Sequence, residues 1–158
     1  MTAQYNLLSD RTGTVSLGPA LTHLQIFPAY SLEQLPGISQ AHAEGLAKLG
    51  LTSVDQLRRY GVSVEHRQTL AKRLQVPLRY VTKWVILADL ARVPGVGCQF
   101  NGLLLHAGII SVPQLATCST QRLFTQLRRL HVATMQRNDL CPTADQVNLW
   151  IHQAKTLS

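Results

Sequence analysis

The stretch LPGIS at residues 35–39 returns as VPGVG at residues 93–97, 58 positions further along the chain. A proline and a glycine followed by a hydrophobic residue are typical of a tight turn that ends one helix shortly before the next begins. We therefore interpret the two stretches as equivalent glycine turns, in which the glycine after the proline supplies the left-handed residue. The turn residues are Pro36, Gly37 and Ser39 in the first glycine turn and Pro94, Gly95 and Gly97 in the second.

The similarity between these stretches extends over most of the chain, which indicates an internal duplication. The matched pairs are Leu46 with Leu104, Gly50 with Gly108, 53–57 with 111–115, 69–76 with 125–132, and 81–88 with 147–154. The offset changes from 58 to 56 and then to 66, which two small slips and one loop insertion near residues 133–142 explain. We predict an N-terminal arm over residues 1–30, a first repeat over 31–92 and a second repeat over 93–158.

Local signals predict that both repeats are helical. Three segments after residue 50 carry a hydroxyl residue followed three positions later by glutamine, which is the spacing of a capping box at a helix start. These pairs are Ser53 with Gln56, Ser111 with Gln114, and Thr143 with Gln146. After residue 30 there is no sustained alternation of apolar and polar residues, which argues against a substantial sheet. The predicted fold is all-α, with two repeats sharing one core and a poorly regular N-terminal arm.

Two tryptophan-containing segments differ in their apolar pattern. Residues 78–92 are apolar on every side around Trp84, as in a helix buried between two halves. Residues 143–157 carry a one-sided apolar stripe around Trp150, as in the capping helix of a short repeat array. Aromatic residues at helical spacing usually pack in the core, so we favour core positions for both tryptophans over a role in stacking on a ligand.

Composition excludes several classes of protein. The chain has 158 residues, of which 46% are hydrophobic and 15% charged, so it is neither a disordered polyelectrolyte nor an integral membrane protein. Its apolar runs are shorter than the roughly 20 residues that a membrane span needs. Residues 1–11 carry no apolar signal core, and three cysteines are an odd number with no close pairing. We expect a cytoplasmic protein with reduced thiols and no membrane insertion.

Positive charge is concentrated in two blocks. The net charge is +7, and residues 58–92 hold eight bases against two acids, whereas residues 93–121 hold no charge. The dipeptides Lys72-Arg73 and Arg128-Arg129 occupy matched positions, so a docking surface and an ordinary solvated helix face are both open interpretations of them. The candidate basic faces comprise Arg58, Arg59, Arg67, Lys72, Arg73, Arg79, Arg122, Arg128 and Arg129. Such faces suit an acidic protein or a nucleic acid backbone.

The two glycine turns, the segment KWVILADL at residues 83–90 and the ending PTADQVNLWIHQAK at 142–155 resemble an uncharacterised bacterial family of tandem helix-hairpin-helix proteins, known as a domain of unknown function. The resemblance implies an all-α unit and, in the wider helix-hairpin-helix class, binding of the DNA backbone by turn amides. The sequence departs from that pattern, because Ser39 replaces a glycine and Ala41 and Gln99 stand where DNA binders often carry a base. The turns therefore serve either packing or phosphate binding, and packing is favoured.

Two classes of function remain open from the sequence. The first is a non-catalytic adaptor or scaffold that docks an acidic protein through the basic faces and the N-terminal arm. The alternative is sequence-independent binding of a DNA or RNA backbone by the same bases. We expect no enzyme activity, cofactor, metal or small-molecule substrate, since Cys98 has no base near it in sequence and metal-ligand spacing is missing. His106 lies in an apolar stretch, which favours a buried histidine.

Overall fold

The structure is a computed structural model that describes residues 29–135 and 141–158. A short 3-10 helix, Leu32–Gln34, precedes eight α-helices, and these residues contain no strand, so the all-α prediction is confirmed. Most of the predicted N-terminal arm lies outside the described residues. The helices are α1 (Gln40–Lys48), α2 (Val54–Tyr60), α3 (Val64–Leu74), α4 (Leu78–Ala91), α5 (Gly97–His106), α6 (Val112–Ala116), α7 (Thr120–Met135) and α8 (Ala144–Leu157).

The three predicted helix starts are confirmed. The side chains of Ser53, Ser111 and Thr143 each accept a hydrogen bond, 3.2 Å long, from the backbone N–H three residues later. Each of these bonds satisfies one of the backbone donors that a helix start leaves without a partner. The Gln56 and Gln114 side chains also accept a 2.8 Å hydrogen bond from the residue before the cap. Helices α2 and α6 therefore begin with the same set of contacts.

The ends of α1 and α5 also match. Gly50 and Gly108 both have φ +84°, a backbone conformation that glycine adopts without a steric penalty. In each turn the next residue donates a 3.0 Å hydrogen bond back into the helix, from Leu51 to the Leu46 carbonyl and from Ile109 to the Leu104 carbonyl. The predicted helix ends at these glycines are confirmed.

The helices of residues 31–92 and 93–158, here called the first and second halves, pair in the same order. Helix α4 packs against α2 and α3, and α8 packs against α6 and α7. Likewise, α1 contacts α3, and α5 contacts α7. Helices α4 and α5 pack against each other and join the two halves.

Each half has its own hydrophobic cluster, so the prediction of one shared core is wrong. The first cluster gathers around Trp84 and Leu87, and the second gathers around Trp150 and includes Leu90. The first cluster contains Trp84 of α4, and the second contains Trp150 of α8. Helix α4 serves both clusters, because it contributes Leu87 to the first and Leu90 to the second. This double role explains why residues 84–88 are apolar on every side, as the sequence shows.

Both tryptophans are core residues, as predicted. Trp84 is 2% exposed and Trp150 is 1% exposed. The Trp84 indole N–H donates a 3.3 Å hydrogen bond to the Gly37 carbonyl, and the Trp150 ring lies 4.9 Å from that of Phe100. Helix α8 buries the predicted stripe and leaves the opposite face exposed. The stripe is Val147, Trp150, Ile151 and Ala154, and the exposed face includes Asn148, His152 and Lys155.

Two polar groups fasten the junction between the halves. Asp89 on α4 accepts hydrogen bonds from the Arg92 side chain at 2.8 Å and from the Val112 N–H at 3.1 Å. Asn101 on α5 is fully buried and donates a 3.0 Å hydrogen bond to the Leu87 carbonyl. Buried polar groups of this kind are costly to leave without partners, so they fix the relative position of α4 and α5. Over the described part of the chain, no helix is long and apolar enough to cross a membrane.

Candidate functional site

Some of the predicted docking bases are engaged within the protein. Arg58 and Arg59 both pair with Asp55, at 3.0 Å and 2.7 Å, and the Arg58 side chain is only 23% exposed. Arg67 is half-buried, and its Nε donates to the Ser63 carbonyl at 3.4 Å. Arg92 is engaged as well, because its side chain is 18% exposed and pairs with Asp89.

Other bases of the first half are exposed on α3 and at the start of α4. Lys72 and Arg73 follow Leu70 and Ala71, which are buried as the apolar side of α3. The Arg79 guanidinium lies 5.3 Å from the centroid of the Tyr80 ring, within the range of a cation–π contact. Among the described residues, the ion pairs are those of Asp55 and Asp89, so no carboxylate neutralises Lys72, Arg73 or Arg79.

Helix α7 presents the corresponding bases of the second half. Arg122, Arg128 and Arg129 are exposed, while Leu123 and Leu127 are buried against the second cluster. No carboxylate within the described ranges pairs with these three bases. Arg128 and Arg129 border an open cavity of about 530 Å³, which Phe124 and Val132 also line. The matched dipeptides thus lie on helices that occupy the same place in the two halves.

The first glycine turn is open to solvent. Gly37 has φ +82°, as predicted, and both Gly37 and Ser39 are exposed. The Ser39 side chain accepts a 3.2 Å hydrogen bond from the His42 N–H and so caps α1. A Cβ built on Gly37 would lie 3.9 Å from Lys83 Nζ, so a base does lie beside this turn. Sequence reasoning missed Lys83 because it comes from α4.

The second glycine turn is covered by other parts of the protein. The Gly95 N–H donates a 2.8 Å hydrogen bond to the Gln153 side chain, and a Cβ on Gly95 would lie 2.6 Å from the Trp150 ring. The N–H groups of Val96 and Gly97 both donate to the Val93 carbonyl, at 3.0 Å. The expectation that Gly95 takes the left-handed conformation is wrong. Gly97 takes it instead, with φ +51°.

The thiol nearest the second glycine turn is protonated at neutral pH. Burial raises the pKa of Cys98 to about 11. The same effect, with a smaller contribution from Cys98, raises the pKa of the Tyr30 hydroxyl, which lies against Gly97. At Cys118, burial raises the pKa and Arg122 partly opposes the rise. A protonated thiol is a poor nucleophile, so the geometry around Cys98 does not activate it.

The described histidines differ in their exposure. His106 is exposed at the end of α5, so the expectation of a buried position is wrong. It follows the buried stripe of α5 but falls on the solvent side of that helix. His131 is 5% exposed, and its Nε2 has no hydrogen-bond partner. Within the described residues, no group of three or more histidine, cysteine or acidic side chains could hold a metal ion.

The sequence matches the family described as Domain of unknown function (DUF4332) over residues 36–157. The chain belongs to the DUF4332 family. The matched region begins at the first glycine turn and ends with α8, so the DUF4332 domain includes all eight α-helices. No curated protein and no solved structure matches the chain.

Proposed function

We propose that this DUF4332 protein is a non-catalytic adaptor or scaffold that docks an acidic protein partner within a larger assembly. The observation that carries the proposal is the exposure of Lys72, Arg73, Arg128 and Arg129 on matched helices without ion-pair partners among the described residues. Unpaired exposed cations attract an acidic surface and orient it on approach. The predicted part of the N-terminal arm in docking and the predicted cytoplasmic location stay predictions.

We also infer that the two halves are tandem helix-hairpin-helix copies. The matched caps at Ser53 and Ser111, the equal φ angles at Gly50 and Gly108 and the same order of helix contacts support this inference. In this interpretation the glycine turns mainly serve packing. The Gly95 N–H already donates to Gln153, so it is not available to a phosphate, which favours packing over phosphate binding at the second turn.

A capture experiment tests the adaptor function. The tagged full chain is incubated with native lysate, with and without nuclease, and the retained proteins are identified by mass spectrometry. We expect a defined set of acidic proteins that survives nuclease. Replacement of Lys72, Arg73, Arg128 and Arg129 by glutamine should weaken their retention by roughly tenfold to a hundredfold, at up to about 1 kcal/mol for each exposed contact.

A matched control separates a local effect from a change in net charge. The variant Gln99→Glu, Asn148→Asp, Lys155→Glu also lowers the net charge by four, but on the exposed surfaces of α5 and α8. It should retain the partners of the wild-type protein. Equal loss of partners in both variants would contradict docking through α3 and α7.

The second candidate function is binding of a DNA or RNA backbone. Lys83 beside the open turn at Gly37 favours it, because a cation next to exposed turn amides suits a phosphate oxygen. This function predicts that nuclease removes every retained protein and that binding weakens steeply with salt. Lys83→Gln should then weaken nucleic acid binding, whereas it should leave the capture of an acidic protein unchanged.

A further inference from the structure

A cationic pocket lies in the first half between the C-terminal ends of α1 and α2 and the exposed side of α3. Its volume is about 300 Å³, at the lower end of the range for ligand pockets. Its apolar floor includes Leu51 and Leu70, which are 8% and 2% exposed. Lys48, Tyr60 and Arg73 stand around it as polar side chains. We call this site the first-half pocket.

The two cations of the pocket lie outside the ion pairs of the described residues. Lys48 and Arg73 are exposed, and within the described residues neither takes part in an ion pair. Glu44, one turn before Lys48 on α1, accepts a 3.0 Å hydrogen bond from Gln40 instead. The pocket therefore carries two unmatched positive charges.

The aromatic wall of the pocket is held in place. The Tyr60 ring stacks on His66, with centroids 4.3 Å apart and an interplanar angle of 16°. His66 Nδ1 lies 2.9 Å from the Tyr60 carbonyl oxygen, which fixes the imidazole beside the ring. Thr69 is also oriented, because its hydroxyl donates a 2.9 Å hydrogen bond to the Glu65 carbonyl. A pre-organised wall lowers the entropic cost of binding a ligand.

The helix ends decide which anion fits. A phosphate prefers the amide donors of a helix N-terminus, but α1 and α2 bring their C-terminal ends to this pocket. Their partial negative charge disfavours a dianion more than a singly charged group. Carbonyls at both ends are already used, as Leu46 and Leu57 accept hydrogen bonds from Leu51 and Gly61. A carboxylate, whose two oxygens match the fork of an arginine, suits the site better.

The matched region of the second half is built differently. The 58-residue offset pairs Lys48 with His106 and Tyr60 with Cys118, and the 56-residue offset pairs Leu70 with Gln126. The Gln126 side chain donates a 2.8 Å hydrogen bond to the Ala107 carbonyl and so links α7 to the end of α5. Arg129, the counterpart of Arg73, is retained without the other pocket groups. Arg129 is thus a natural control for Arg73.

We propose that the first-half pocket binds a carboxylate, which an acidic side chain of the protein partner supplies in the complex. This inference rests on the proposed adaptor function. Arg73 and Lys48 bind the carboxylate oxygens, Tyr60 lies beside the group, and Leu51 and Leu70 contact the methylene carbons that carry it. The pocket gives the partner a defined attachment point within the broader basic face of α3.

A titration of the isotopically labelled full chain, followed by nuclear magnetic resonance, tests the pocket directly. The probes are N-acetyl-Glu-Glu-amide, N-acetyl-Gln-Gln-amide and inorganic phosphate at constant ionic strength. We expect saturable shifts at Lys48, Tyr60 and Arg73 with the glutamate peptide, in the millimolar range. Arg73→Gln should weaken this binding by about tenfold, as expected for the loss of a charge-assisted contact, and the matched Arg129→Gln should not.

Several results would contradict the proposal that the first-half pocket binds a carboxylate. These are equal shifts with the glutamine peptide or with phosphate, an absence of saturable shifts, or an equal effect of Arg73→Gln and Arg129→Gln. Tyr60→Phe serves as a second variant with an intact ring and should retain most of the binding. A thermal melt shows that each variant is folded.

The lysate capture and the peptide titration together show whether the pocket proposal or the adaptor proposal is wrong. In the lysate capture, Lys48→Gln with Arg73→Gln should weaken retention of the acidic partner. If retention needs Arg128 and Arg129 but not these two residues, the adaptor function stands and the pocket is wrong. If the wild-type chain retains no protein after nuclease, the adaptor function is wrong, and the peptide titration alone decides whether the pocket binds a carboxylate.

Discussion

The two halves of the molecule use the same order of helices but expose different surfaces. In the first half, Gly37 faces solvent and the space between α1, α2 and α3 forms a cationic pocket. In the second half, Gly97 is buried against Tyr30, and Gln126 links α7 to the end of α5. A shared scaffold therefore does not imply a shared surface. The pocket lined by Lys48 and Arg73 lies in the first half, whereas the cavity bordered by Arg128 and Arg129 lies in the second.

The largest loss of stability is expected on replacing the tryptophans. We expect this loss to be similar in the two halves. Trp84→Ala and Trp150→Ala should each lower the free energy of unfolding by about 3–5 kcal/mol, because each ring fills the centre of its cluster. Urea titration followed by circular dichroism measures both losses. A loss below about 1 kcal/mol in only one variant would mean that the clusters differ in importance.

Alanine in place of the glycine that follows the proline of each turn should destabilise the two halves to different extents. Gly95→Ala should cost about 2–3 kcal/mol, because its Cβ would lie 2.6 Å from the buried Trp150 ring. Gly37→Ala should cost only about 1 kcal/mol for its left-handed backbone, since the space beside it holds the flexible end of Lys83. Thermal melts of the two variants provide the measurement. Equal losses of stability would contradict the description of the second turn as covered and the first as open.

Two aspartates of α2 and α4 give a smaller difference. Asp89→Ala should destabilise the protein by about 2 kcal/mol, because the Val112 N–H and the half-buried Arg92 lose their partner at the junction. Asp55→Ala should cost less than about 0.5 kcal/mol, since its ion pairs with Arg58 and Arg59 lie within one short helix. Urea titration of both variants tests this order. A larger loss at Asp55 would reverse it.

The smallest difference between the halves is expected at the matched caps of α2 and α6. Ser53→Ala and Ser111→Ala should each cost about 1 kcal/mol, and the two losses should agree, because both side chains accept the same 3.2 Å hydrogen bond. Differential scanning calorimetry resolves a change of this size. A difference of more than about 1 kcal/mol between the two losses would show that the starts of α2 and α6 are not equivalent.

Local features of the fold were predictable from the sequence, whereas contacts between distant segments were not. Helix caps and glycine ends depend on neighbours a few residues away, so Ser53 and Gly50 were identified directly. The pairing of Asp55 with Arg58 and Arg59 has three- and four-residue spacing, and that signal was available in the sequence. The bond between Gly95 and Gln153 spans 58 positions and leaves no local pattern.

The candidate site shows the same limit. The charged dipeptides of α3 and α7 were identified because they are adjacent in sequence and repeated. The first-half pocket was missed, since Lys48, Tyr60 and Arg73 come from three helices and Lys48 lies outside the basic block. Their proximity depends on how the helices pack, and a one-dimensional charge pattern does not record packing.

Docking through the basic faces of α3 and α7 is tested by hydrogen–deuterium exchange of the full chain, alone and with the acidic protein retained after nuclease treatment. We expect the backbone amides of α3 and α7, over Val64–Leu74 and Thr120–Met135, to exchange more slowly in the complex. The amides at the end of α1, beside the first-half pocket, should also exchange more slowly. The covered turn at residues 93–97 should exchange at the same rate in both states. Protection at the glycine turns, with α3 and α7 unchanged, would contradict docking through the basic faces.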